Sequence, residues 1–157
     1  MSSDLSYDSL MKQELELELP YFNTETAFRL GMLLVERAKK EEKELSITVS
    51  IGRQTIFHYG AVSHGPNADH WLRRKQNAVY EYHMSSLRFG AKLKQEESCL
   101  AVEGRTDYDF TGIGGAVPII VKGAGVIGAC AVSGMPHVID HQYVCQALKT
   151  LQGELNR

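Results

Sequence analysis

Two short glycine-containing runs are the residues of this sequence best suited to hold a ligand. The first, Ile113–Ala116, precedes an apolar stretch, and the second, Ser133–His137, joins an apolar stretch to an amphipathic one. Glycine lets backbone amides approach a ligand closely, and the start of a helix presents unpaired N–H groups to phosphate or carboxylate. The sequence therefore predicts a small-anion or cofactor site at Gly114, Gly115, Ser133 and Gly134. A tight entry loop and an ordinary helix cap are the structural alternatives.

Three consecutive cations lie near the start of a candidate helix, in the run Trp71–Asn77. An arginine can clamp a carboxylate or a phosphate through two parallel hydrogen bonds, which makes Arg73 and Arg74 candidate ligand-binding residues. The helix dipole disfavours cations at a helix start, so an anion from a ligand or from a neighbouring subunit would compensate them. A solvated helix face is the alternative.

Two histidines, His137 and His141, stand four residues apart in the last amphipathic run. On a helix they lie one turn apart on the same side, and such a pair can hold zinc or iron if a third ligand comes from elsewhere. They are the candidate metal ligands, and the best candidates for a proton carrier if the protein is an enzyme. Two surface histidines are the alternative. The sequence shows no complete catalytic set and leaves enzymatic activity open.

These residues need a scaffold, and hydrophobic periodicity predicts its elements. Amphipathic helices are expected at about 24–41, from 67 or 69 to 83, at 85–93 and at 137–151. Two hairpins are expected at 45–59 and 113–132, and the alternation at 15–19 predicts one more strand. Residues 1–14 would form an extended or helical arm. The prediction is a single α+β domain, with a largely antiparallel sheet of about five strands flanked by helices.

Composition places the chain among globular domains. Its 157 residues suggest one domain, and 43% hydrophobic with 23% charged residues argue against disorder. The net charge of −2 gives no reason to expect nucleic acid or an anionic membrane as a partner, and no apolar run is long enough to span a bilayer. Three cysteines without close spacing, and an acidic first segment without a signal pattern, predict a cytoplasmic protein.

Three stretches of the sequence carry a resemblance to a known family. They are Gly114–Ile119 with Gly125–Gly128, the run Trp71–Asn77, and Ser133-Gly134-x-Pro136 followed by Asp140-His141. Together they resemble the haem-degrading-domain superfamily, which includes GlcG, HbpS and the C-terminal domain of PduO-type proteins. The match is nearest to an uncharacterised branch found in bacteria and fungi, and it covers about residues 22–148. The resemblance implies a sheet flanked by helices, a homo-oligomer, and haem or a divalent metal as the cofactor.

Two functions remain open from the sequence. The first is an oligomeric protein that binds a small ligand, such as haem or another tetrapyrrole, a small carboxylate or a phosphate. The second is a non-enzymatic assembly or adaptor protein without such a ligand, in which the glycines serve tight turns and the cations at 73–75 bridge subunits. The first function requires that the Gly114 turn and the start of the last helix lie on opposite walls of one cavity.

Overall fold

The computed structural model describes residues 5–157, and this range contains five helices and four strands. They are α1 (Tyr7–Glu16), α2 (Thr24–Lys40), β1 (Ser46–Ile51), β2 (Gln54–Tyr59), α3 (Pro66–Tyr82), α4 (Ser86–Gln95), β3 (Ala116–Val121), β4 (Gly125–Ser133) and α5 (His137–Leu155). The four predicted helices and the two predicted hairpins are confirmed. Residues 1–4 of the predicted arm lie outside the described residues. No helix within 5–157 has the length and apolar character needed to cross a membrane.

One antiparallel sheet forms the centre of the fold, with the strand order β2-β1-β4-β3. The α+β class is as predicted, but the described residues form four strands rather than about five. The second hairpin also begins later than its predicted start at residue 113. Its first strand starts at Ala116, which leaves Ile113–Gly115 as a loop at the end of the sheet.

The predicted strand at residues 15–19 is wrong, because the end of α1 occupies its first part. Leu10, Glu14 and Leu17 are buried at spacings of four and three, which is the period of one helix face. Leucine and glutamate both favour a helix, and here packing selects that state. Only Leu19 joins the sheet, through a single parallel bridge to Val121.

The sheet separates two helical layers, and alternation along β4 decides which side chains face each layer. Cys130 and Val132 face the core that α2 and α5 share, whereas Ala129 and Ala131 face Leu72 of α3. The small alanine side chains let α3 lie close to the sheet. The end of β4 therefore lies next to α3 and leads directly into α5, and this arrangement positions the site.

Candidate functional site

The end of β4 borders a cavity of about 370 Å³ between α3 and the start of α5. We call it the Lys75 cavity, and its lining residues are Trp71, Lys75, Ile113, Ser133, Gly134, Met135, His137 and Asp140. The loop before β3 meets the start of α5 here, because the Gly114 N–H donates a 2.9 Å hydrogen bond to Nδ1 of His137. The two glycine-containing runs are therefore in direct contact and do not form opposite walls of the cavity. Ile113 of the first run lines it, whereas Gly114 and Gly115 do not.

A buried ion pair lies in the wall of this cavity. Nζ of Lys75 donates to the Val132 carbonyl at 3.0 Å and to Oδ2 of Asp140 at 3.2 Å. The two charged side chains are only 3% and 1% exposed. Burial lowers the pKa of Lys75 and raises the pKa of Asp140, although each partner opposes the shift of the other. Both shifts weaken the preference for the charged forms, because a buried site solvates charge poorly.

Asp140 also binds the free amides at the start of α5. Its Oδ1 accepts the Met135 N–H at 3.0 Å, and the Gly134 amide is a further donor. A carboxylate at this position complements the positive end of the helix dipole. The Gly134 and Met135 amides are therefore paired with a carboxylate of the same chain, and the Gly114 amide is paired with His137. Because these amides are already paired, Lys75 and not the amides is the principal hydrogen-bond donor at the cavity.

Two of the predicted site glycines are required by the backbone around Lys75. Gly115 has a φ of +140°, and a Cβ there would lie 2.5 Å from the Val132 carbonyl oxygen and 2.7 Å from Nζ of Lys75. Gly134 has a φ of +148°, and a Cβ there would collide with the Glu44 carbonyl oxygen. Only glycine adopts such a backbone conformation without strain. Both residues thus permit the close packing that holds the ion pair.

His137 lines the cavity with a ring that carries one N–H group. Because its Nδ1 accepts the Gly114 N–H, the neutral ring carries its proton on Nε2. Burial lowers the pKa of His137, and the charge of Lys75 lowers it further, so the ring is neutral near pH 7. A metal-binding histidine has the reverse arrangement, with one nitrogen lone pair on the metal and the other N–H donated to the protein.

His141 lies one turn further along α5 and is buried, with 2% of its surface exposed. Its Nε2 lies 2.8 Å from Oε1 of Gln13 and 3.4 Å from Sγ of Cys145. Burial lowers the pKa of His141 to about 4. Within residues 5–157, no three His, Cys, Asp or Glu side chains are grouped so that they could hold a metal ion. The predicted histidine pair therefore has no third ligand in this part of the chain.

The two predicted arginines lie on α3 outside the cavity lining. Arg73 donates to Oδ1 of Asp109 at 2.9 Å, which ties α3 to the long loop before β3. Arg74 stacks on the Trp71 ring at 4.3 Å, and its buried Nε has no hydrogen-bond partner among the described residues. The cation of this run that reaches the cavity is the third one, Lys75.

Sequence reasoning did not select Lys75 and Asp140 as site residues. For Lys75 a signal was present, because it lies between Leu72 and Val79 on the apolar face of α3, where a charge needs a buried partner. The first-turn position of Asp140 indicates only a helix cap. The two residues are 65 positions apart, and the fold alone brings them together.

Comparison with known sequences relates this chain to an established family. The family model described as haem degrading protein HbpS-like matches residues 22–149. A UPF0303 protein of Serratia proteamaculans (strain 568) is 34% identical over 154 residues, which cover 98% of this chain and 96% of the relative.

Solved structures share the fold. The Ybr137w protein has a TM-score of 0.88 at 21% identity, with 99% of this chain and 92% of that chain covered. The structure described as the PduOC–haem complex has a TM-score of 0.67 at 14% identity, with 83% and 94% covered. The resemblance found in the sequence is confirmed by the family model, which spans most of the chain, and by the full-length relative. The chain therefore belongs to the family of HbpS-like haem-degrading proteins.

Proposed function

We propose that this chain binds a small organic molecule in the Lys75 cavity, through a carboxylate or carbonyl oxygen of the ligand. The observation that supports this most is the environment of Lys75. Beyond its bond to Cε, Nζ has three positions for hydrogens or a lone pair, and acceptors among residues 5–157 take two of them. The third position is left for a ligand in the cavity that Lys75 lines.

Two donors would bind the ligand oxygen. Lys75 supplies an ammonium N–H, and His137 supplies the Nε2–H that its bond with Gly114 leaves on the ring. A hydrogen bond from a charged donor is roughly twice as strong as one between neutral groups, so Lys75 would contribute most. The ring of Trp71 and the side chain of Ile113 offer apolar surface to the body of the ligand.

Charge balance favours a neutral or singly charged ligand. Lys75 is already paired with Asp140, so the cavity wall is close to neutral overall. A phosphate dianion would meet the Asp140 carboxylate without a second cation, because Arg73 and Arg74 do not line the cavity. A small carboxylate or carbonyl compound therefore fits this site better than a phosphate.

Haem is the second candidate ligand, and the family match together with the PduOC–haem complex favours it. The two predicted metal-binding histidines, His137 and His141, do not fit as iron ligands. His137 accepts a backbone N–H at Nδ1, and His141 is buried against Gln13.

Trp71 makes the proposal directly testable, because it is the sole tryptophan of the chain and lines the cavity. We expect pyruvate and propionate to change the Trp71 emission in a saturable titration. Ser133→Val adds bulk to the cavity wall and should weaken this response. Arg73→Ala should respond as the wild type does, because Arg73 binds Asp109 away from the cavity.

The titration also separates the candidate functions. An emission unaffected by pyruvate and propionate would contradict binding of a small acid or carbonyl compound. A Soret shift with haemin, without any response to the small molecules, would favour haem as the ligand. If haemin, phosphate and both acids were all without effect, the assembly or adaptor function would be the better explanation.

A further inference from the structure

We propose that Lys75 forms a Schiff base with an aldehyde or ketone that is bound in the Lys75 cavity. This inference rests on the proposed function and adds the reacting atom and the ligand class, small carbonyl compounds that include α-keto acids. The buried amine of Lys75 would then have a covalent role. Its contacts within residues 5–157 otherwise serve only to stabilise the fold.

The geometry around Nζ suits a nucleophile. A neutral amine has two N–H groups and one lone pair, and the two N–H groups match the two acceptors, the Val132 carbonyl and Oδ2 of Asp140. The lone pair is then left for the cavity. Gly115 lacks the Cβ that would collide with Nζ at 2.7 Å, so the lysine side chain can pack against the backbone here and keep both acceptors in reach.

Asp140 provides the base that the reaction needs. An ammonium group must lose a proton before it attacks, and Oδ2 of Asp140 lies 3.2 Å from Nζ. Burial disfavours both the cation and the anion, so transfer of the proton within the pair is easier here than between the same groups in water. The lowered pKa of Lys75 and the raised pKa of Asp140 agree with this direction.

The step balances without any further reactant. Lys75 gives one proton to Asp140, and its nitrogen then bonds to the carbonyl carbon, while a proton moves from nitrogen to the carbonyl oxygen. The carboxyl proton of Asp140 passes to that hydroxyl, the carbon–oxygen bond breaks and water leaves. The products are a protonated imine on Lys75 and the Asp140 carboxylate, so the pair keeps its net charge throughout.

His137 would orient the carbonyl group. Its Nε2–H is a neutral donor, because Nδ1 is occupied by the Gly114 amide. A donor on the carbonyl oxygen makes the carbon more electrophilic and stabilises the negative charge that develops on the oxygen during attack. His137 is therefore a second residue that acts on the bound carbonyl compound.

Reductive trapping on the whole chain tests the proposal. Wild-type protein is incubated with pyruvate and sodium cyanoborohydride and then digested with trypsin. A reduced adduct at Lys75 blocks cleavage after it, so the peptide 75–88 replaces the peptide 76–88 in the mass spectrum. We expect the occupancy of Lys75 to be severalfold above that of each of the other eight lysines, since burial lowers the pKa of Lys75 and a lowered pKa leaves more of the amine neutral.

Three variants test the role of each residue in the trapping experiment. Lys75→Arg keeps a cation without a primary amine and should give no adduct at this position. Asp140→Asn keeps the amine but removes its base, and should slow trapping several-fold. Lys122→Arg changes an exposed lysine of the second hairpin turn, and should leave the labelling of Lys75 unchanged.

The outcomes distinguish this inference from the proposed function. A Trp71 response to pyruvate without an adduct at Lys75 would overturn the Schiff base and leave the binding function standing. If neither the Trp71 response nor the adduct at Lys75 is observed, the Schiff base and the binding function are both overturned. Equal labelling of all lysines would also overturn the Schiff base, because it would show no activation of Lys75. If Lys75→Arg does not fold, the peptide map of the wild-type protein still decides.

Discussion

At the scale of single residues, the Lys75–Asp140 pair joins three parts of the fold at the cavity. Asp140 binds the amide of Met135 before α5, and Lys75 binds the carbonyl of Val132 at the end of β4. Removing two charges from water costs several kcal/mol per ion, and their attraction offsets this cost only while both partners are present. Loss of one partner is therefore worse than loss of both.

Lys75→Met tests this coupling through stability. We expect the free energy of unfolding in urea to fall by about 3–5 kcal/mol, because the Asp140 carboxylate stays buried without its cation. The double variant Lys75→Met/Asp140→Asn should be less destabilised than the single one, since an amide oxygen can still accept the Met135 N–H without a charge. Additive losses in the two single variants and the double variant would contradict this coupling.

His141 predicts a pH dependence of stability. The pKa of His141 is about 4 in the folded protein, whereas its ordinary value is 6.5. Between these two pH values the unfolded chain binds a proton at His141 that the folded protein does not bind. The contribution of the neutral His141 ring to the free energy of unfolding is fully present above pH 6.5. It decreases by up to about 3 kcal/mol as the pH drops towards 4. Urea denaturation between pH 7 and pH 4 measures the fall.

His141→Gln provides the control for this pH effect. Glu14 and Asp140 have raised pKa values and act in the opposite sense, because their protonated forms are favoured in the fold and their contribution is lost as the pH rises. They are present in both proteins, so the difference between wild type and variant isolates His141. Parallel stability curves for the two proteins would show that the imidazole is not responsible.

At the scale of elements, α1 shows where local patterns were insufficient. The alternation of leucine and glutamate at 15–19 fits a strand, yet α1 packs against α4 through Glu14, which is 1% exposed. Its Oε1 accepts the Ser85 N–H and an Arg88 N–H, each at 3.1 Å. Partners more than 70 residues away therefore select the helix, and no local pattern reports them.

Glu14→Ala should loosen α1 without unfolding the sheet. The substitution leaves the buried Ser85 amide and the Arg88 guanidinium without their acceptor, at a cost of about 1–3 kcal/mol. We expect faster amide exchange in α1 and in the first turn of α4, with β1 and β4 unaffected. Leu15→Ala is the matched control, because Leu15 is 59% exposed on the same helix. Equal exchange in both variants would rule out Glu14 as the anchor.

At the scale of the whole molecule, periodicity predicted the layers better than the site. Leu30 and Leu34 share a helix face at a spacing of four, and Ala129 and Ala131 share a strand face at a spacing of two. Such spacings are visible in the sequence, so the architecture follows from local pattern. The site rests on a lysine of α3 and an aspartate of α5, which meet only because both helices pack at the end of β4. Its glycines were recognisable from sequence, whereas its ion pair was not.

Homo-oligomerisation belongs to this scale and stays a prediction. Arg74 stacks on Trp71 with a buried Nε that has no partner among residues 5–157. Ile113, which lines the cavity, is 39% exposed and leaves apolar surface there. A carboxylate of a second copy would pair with Arg74, and an apolar patch of that copy would cover the exposed apolar surface. Contact between copies would then extend to the Lys75 cavity, because Trp71 is part of its wall.

Arg74→Ala tests this arrangement by size-exclusion chromatography with light scattering. We expect the wild-type mass to be a multiple of 17.5 kDa and the variant to shift towards 17.5 kDa, while Arg73→Ala keeps the wild-type mass. A wild-type protein of 17.5 kDa at every concentration, or an unchanged mass in Arg74→Ala, would refute the role of Arg74. Since Arg74 stacks on the ring that borders the cavity, dissociation should also weaken the Trp71 response to pyruvate. A lower mass with an unaltered response would mean that the cavity is complete within one chain.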